Sequence, residues 1–271
     1  MRTVLWLLAP AALFSSGVAM ATTTTGDLAL VDAAIKSGRL VQAQTMLDLL
    51  PADQKEATDV AILRAQLLLA QGQYEGAEQA FDKLATAAGS DCRVITGLGI
   101  AAGELRHTDR AIPLLQDAAA RCMPDWRLWS ELGRAYSWTR RWDESKAAYA
   151  RALALDGPRA ALLNDMAVSL LMQRRWPEAK ALLEQAYAAD PGDLRFANNL
   201  DIAAASMGQA PVRAQGDDAA RWAERLANAG YAALLAGRPD DARAWLSQSV
   251  AAAPVYSPRT AAILASLEPR K

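Results

Sequence analysis

Trp129-Ser130-Glu131-Leu132-Gly133-Arg134-Ala135-Tyr136, followed by Arg140-Arg141-Trp142 and then Ser145-Lys146-Ala147-Ala148-Tyr149, is the stretch from which the rest of the chain can be read. Its apolar and small residues fall at helical spacing on either side of a short basic turn, as in two helices joined back to back. The pattern returns 34 residues later as Leu163, Met166, Ala167 and Leu170, then Arg174, then Ala179 and Leu183. Working outward, the turn position recurs at Gly38, Gly72, Arg106, Arg140, Arg174 and Gly208. A small residue follows at Ala43, Ala77, Ala111, Ser145 and Ala179, and a large one at Leu47, Phe81, Leu115, Tyr149 and Leu183. A fixed period of this length predicts stacked helix–turn–helix units, none of which can bury its apolar face without a neighbour.

Composition agrees with a helical chain. Apolar residues make up 52% of the 271, with only 16 Gly and 12 Pro to interrupt helices. The 29 basic and 30 acidic residues leave a net charge of -1. No cationic excess exists to hold a polyanion, which argues against nucleic-acid binding.

The first residues read as an export signal. Arg2 is followed by an apolar core, Thr3 to Phe14, and Ala19-Met20-Ala21 offers small residues for cleavage after Ala21. A dozen apolar residues are short for a membrane span, so the mature protein is expected to be exported and periplasmic. An uncleaved N-terminal anchor, giving a membrane-tethered adaptor, is the alternative. Export bears on Cys92 and Cys122, which begin the first helix and end the second helix of one unit. An antiparallel pair brings those ends side by side, and an oxidising compartment favours a bridge over two unbonded small residues.

Four segments are expected: a signal peptide (1–21), a polar spacer (22–26), the repeat array (27–208) and a C-terminal region (209–271). Asp27, Asp91 and Asp217 suit helix N-caps. After Gly208 the phase slips, and Gly237 restarts the pattern 29 residues on, with Ala242 and Leu246 at the proper offsets. An insertion, a missing helix or a bend would each produce that slip. A short helix near Pro258 to Leu267 is expected to cover the exposed end of the stack.

The residues quoted for units four and five, with Trp129, Tyr136, Ala152, Ala186 and Pro191, resemble the tetratricopeptide repeat (TPR) superfamily. That resemblance implies an all-α solenoid of stacked antiparallel helix pairs in a right-handed superhelix. More narrowly, three features resemble the TadD family of Flp (tight adherence) pilus assembly proteins. They are the export signal, the run Phe196-Ala197-Asn198-Asn199-Leu200, and the tail Ala253-Pro254-Val255-Tyr256-Ser257-Pro258-Arg259. Members of that family resemble lipoproteins, whereas no Cys stands near the cleavage region here. The resemblance implies an accessory protein for a secretin-based pilus or secretion machine; an adaptor for polysaccharide export or envelope assembly is the other context.

In TPR proteins the first helices line the concave face. The corresponding positions here are Arg93, Arg127, Ser130, Glu131, Arg134, Trp138, Asn164, Asp165, Arg195, Asn198 and Asn199. Read as displayed polar groups, the arginines suit a partner's carboxylate and the asparagines a peptide backbone. Trp126, Trp129 and Trp142 are expected to pack or to cover turns. A cofactor, metal or catalytic role is not expected. The single histidine, His107, has only Glu104 and Asp109 near it in sequence, and no phosphate loop or nucleophile–base spacing is present.

Overall fold

The computed structural model describes residues 25–267, apart from 53, 89–90 and 215. The expected signal peptide and cleavage site lie outside the described residues. Among those described, the chain is helical throughout, in order α1 (Thr25–Lys36), α2 (Leu40–Asp48), α3 (Thr58–Ala70), α4 (Tyr74–Ala88), α5 (Cys92–Glu104), α6 (Thr108–Arg121) and α7 (Trp126–Trp138). It continues with α8 (Trp142–Asp156), α9 (Ala160–Met172), α10 (Trp176–Ala189), α11 (Leu194–Ser206), α12 (Ala219–Leu235), α13 (Pro239–Ala252) and α14 (Pro258–Ser266). Helix α1 starts ahead of Asp27, which therefore sits in its first turn rather than capping it.

Each hairpin closes in one way. The residue at the turn adopts a left-handed conformation: Gly38, Gly72 and Gly237, but also Arg106, Arg140 and Arg174 at φ near 60°, and Gly208 does the same at the end of α11. The next backbone N–H then reaches back to a carbonyl five residues earlier, as in Arg39 to Ala34, Gln73 to Leu68, His107 to Ala102 and Arg141 to Tyr136, each at 2.9 Å. This pattern satisfies carbonyls that a helix end would otherwise leave bare.

The periodic small and large residues form the seam within each pair. Ala43, Leu47, Ala77, Phe81, Ala111, Leu115, Ala179, Leu183, Ala242 and Leu246 are wholly buried. The core is a string of clusters, each spanning neighbouring hairpins. Val31, Ala34, Ala43, Leu47, Val60, Leu63 and Leu67 join α1, α2 and α3, for example. Three glycines of first helices let bulky partners approach: a methyl group on Gly97, Gly133 or Gly230 would overlap Phe81, Tyr149 or Leu246. Cys92 and Cys122 form a disulfide across the third hairpin, with Cα atoms 5.7 Å apart.

The phase slip is a missing helix. Gly230 stands 16 residues before Leu246, as Gly133 stands before Tyr149, so α12 and α13 make one regular hairpin. Helix α11 has no second helix of its own and lies directly against α12. The two run in the same direction, since Asp201 meets Arg225 and, further on, Gly208 meets Arg238. Residues 209–214 and 216–218 lie where the chain returns between them. The buried guanidinium of Arg225 fastens it, donating to Asp201 Oδ2 at 2.6 Å and to Asp217 Oδ2 at 2.5 Å. Asp217 also accepts from the Ala214 N–H at 2.9 Å, so it closes the loop, and the N-cap of α12 is Asp218. At the far end Arg243 donates to the Leu267 carbonyl at 2.7 Å and holds α14 over the last hairpin.

Candidate partner-binding groove

A cavity of about 420 Å³ runs along the inner face, and all six first helices from α1 to α11 contribute to it. Helix α1 supplies Asp32, Ile35 and Lys36; α3 supplies Gln66, Leu69 and Ala70; α5 supplies Ile100 and Glu104. Trp126, Arg127, Ser130, Glu131 and Arg134 come from α7, Ala161, Asn164 and Asp165 from α9, and Arg195 from α11. The helical spacing that turns one stripe of each helix into the core turns the opposite stripe here.

The structure changes the reading of these polar residues: several are engaged by the chain itself. Ser130 Oγ donates to Asp165 Oδ2 at 2.9 Å, and Asn199 Nδ2 to Asn164 Oδ1 at 2.8 Å. Both partners are 35 residues apart, one repeat and one residue. Arg93 Nη2 reaches Asp59 at 2.6 Å, a separation of 34, while its fork also holds Asp91. A row of polar contacts thus links the first helices from α3 to α11. Ser130 and Asn164 are buried rather than displayed. Their period is visible in the sequence, but which pairs meet depends on side-chain reach across two helices.

Nor are the arginines equally available. Arg134 donates through Nη2 to Glu104 at 2.8 Å and also to Glu131, and it is mostly buried. Arg195 is held by Asp193 at 2.6 Å. Arg93 lies in an adjoining hollow with Leu28, Asp59 and Leu63. Arg127 remains exposed at the rim, its guanidinium 5.3 Å from the Trp126 ring centre, with Arg159 5.5 Å from the same ring. Trp126 is therefore the aromatic residue of this cavity, a role for which the repeat positions point instead to Trp138. Trp138 lies between Arg106 and Arg134, at 4.9 and 5.4 Å, and does not line the cavity. Asn198 faces a different hollow beside α12, with Tyr187, Leu194 and Arg221.

Burial governs the electrostatics of the floor. It pushes the Glu131 carboxyl up to about 8, against the opposing pull of Arg134, with Asp165 and Glu104 adding repulsion. Asp165 is raised for the same reason, although Arg134 and the Ser130 hydroxyl favour its charge. His107 stands 3.3 Å from Glu78 on the outer side, and Glu104 is committed to Arg134. Among the described residues, no group of three or more His, Cys, Asp and Glu side chains is placed to hold a metal.

Comparison with known proteins agrees with this geometry. A family model for the tetratricopeptide repeat matches residues 28–91 and 139–194. These two stretches match the tetratricopeptide repeat. Its fold is also that of several solved structures, two of them described as tetratricopeptide repeat proteins. The APC/C hetero-tetramer Cut9-Hcn1 superposes with a TM-score of 0.64 at 14% identity, over 90% of this chain and 49% of that one. This chain thus spans about half of that protein's length. TTC0263, a thermophilic TPR protein in Thermus thermophilus, gives 0.53 at 21% identity over 65% of this chain and 97% of its own. A tetratricopeptide repeat protein from Parabacteroides merdae ATCC 43184 gives 0.53 at 11% identity over 89% and 97%. No curated protein sequence matches.

Proposed function

We propose that this TPR stack is a scaffold that binds a protein partner in its inner groove, as an extended segment lying across the first helices. The observation that carries the reading is that six successive first helices contribute to one cavity, with the Trp126–Arg127 pair at its rim. Aromatic residues and arginine are favoured anchors at protein interfaces. The setting we propose is the periplasm, in assembly of a pilus or secretion machine of the tight-adherence type. The export signal in the sequence, the Cys92–Cys122 bridge and the resemblance to the TadD family support that setting.

Partner capture by the purified mature protein tests the groove. Trp126→Ala and Arg127→Glu are expected to lower affinity about tenfold or more, with helix content by circular dichroism unchanged. Undiminished capture by both variants would remove the groove assignment. Mass spectrometry of the periplasmic fraction tests export: the expected N-terminus is Thr22, and a cytoplasmic chain beginning at Met1 would contradict it.

A further inference from the structure

The groove floor is short of positive charge. Glu104, Glu131 and Asp165, from three successive first helices, surround the single guanidinium of Arg134. Glu104 and Glu131 share one nitrogen of that guanidinium, and Asp165 is met directly only by neutral groups, the Ser130 hydroxyl and the Asn164 amide, with the Arg134 and Arg195 charges acting from further off. The other cations along the groove make their direct ion pairs elsewhere or stay at the rim. Lys36 bonds Asp32 at 2.7 Å, Arg195 bonds Asp193, and Arg127 stacks on Trp126. The wall adds a further acceptor, since Gln66 Oε1 is buried without a hydrogen-bond partner. Above the floor the walls are apolar, formed by Ile35, Leu69, Ile100 and the Trp126 ring. Apolar walls over a floor of acceptors match a long aliphatic stem that ends in donors only.

Resting on the groove reading above, we propose that this floor receives a cationic side chain of the partner, a lysine ammonium or arginine guanidinium, between Glu131 and Asp165. A groove lined by arginines suggests the opposite, a carboxylate. The paired state of Arg134 reverses that sign.

Binding of this kind is linked to protons. The charged and titratable groups facing Glu131 are Arg134 on its own helix, Glu104 on α5, Asp165 on α9, Tyr74 on α4 and Tyr149 on α8. Arg195 of α11 acts on Asp165. With Glu131 raised to about 8 by burial, its neutral form predominates at mildly acidic pH. An entering cation favours the ionised form, so its affinity rises as pH rises through that value.

Three blocked hexapeptides of alanine and serine, differing only in a central Lys, norleucine or Glu, provide the probe. NMR titration of the full mature protein gives each Kd, and the Trp126 indole signal reports whether the peptide sits in the groove. The Lys peptide is expected to bind about tenfold more tightly than the norleucine peptide, the scale of a charge-assisted hydrogen-bonded pair. That advantage should grow from about pH 6 to about pH 9, a range in which lysine itself stays charged. Glu131→Gln, which keeps the shape of the protonated side chain, should retain the fold and abolish the growth. Norleucine or Glu peptides that shift Trp126 with equal or better affinity would overturn the cation assignment and leave the groove standing. Failure of all three peptides to bind would overturn both. A Lys preference with the same pH dependence in Glu131→Gln would also overturn the assignment.

Discussion

A methyl group on Gly97 would overlap the ring of Phe81, which is wholly buried between two hairpins. Gly97→Ala is therefore expected to cost about 2 kcal/mol through overpacking, read as a lowered midpoint in urea unfolding. An unchanged midpoint would mean the helices slide apart freely. Glu131 gives a second expectation, with a definite sign. Its carboxyl binds a proton in the folded chain up to about pH 8, whereas an unfolded glutamate releases it near its ordinary value. Between those limits the folded state holds more protons, so this group's stabilisation is complete at low pH and fades as pH rises through about 8. Glu131→Gln should thus raise Tm by a few degrees at pH 8 relative to wild type and by little at pH 5. At this scale the sequence was least legible. The period placed Glu131, Arg134 and Asp165 on one face, yet it could not say that Arg134 would be claimed by two carboxylates. Side-chain pairing across helices depends on reach and burial, which periodicity does not encode.

At the level of helices and turns, the reading from sequence was closer. The 34-residue interval located every hairpin turn of the regular array, because the left-handed turn residue and its backward hydrogen bond recur with the backbone geometry. Boundaries near acidic residues were less secure. Asp217 and Asp218 both suit a cap by residue type, and the choice is made by Arg225, a tertiary partner that holds Asp217 in the loop. Asp218→Ala should destabilise α12 by about 1 kcal/mol. Asp201→Asn should do more harm, since it removes a charge from the buried guanidinium of Arg225; hydrogen exchange across 209–235 would locate the damage. The disulfide closes a separation of 30 residues, and its loss in Cys92→Ser with Cys122→Ser is expected to cost about 3 kcal/mol in thermal unfolding. A double variant as stable as the oxidised wild type would show that the bridge contributes nothing.

For the whole molecule, repetition explains why the array was legible while its interruption was not. Neighbouring hairpins contact one another through equivalent residues, so one correctly read unit fixes the next. The slip after Gly208 left three arrangements open because a missing helix and a bend produce similar spacing. The structure resolves it as α11 standing alone against α12, tied by Arg225. The groove follows from the same stacking, but its sign does not, and this alters how it should be probed. Reversing Arg134 would place a fourth carboxylate among three and is expected to unfold the central repeats, whereas reversing Arg127 at the rim should spare the fold. Site-specific photo-cross-linking to the partner separates inner from outer surface most directly. A cross-linker at groove-lining Ala161 should yield the partner adduct, and one at exposed Ala181 on the second helix α10 should not. Adducts from Ala181 with none from Ala161 would contradict a partner held in the groove.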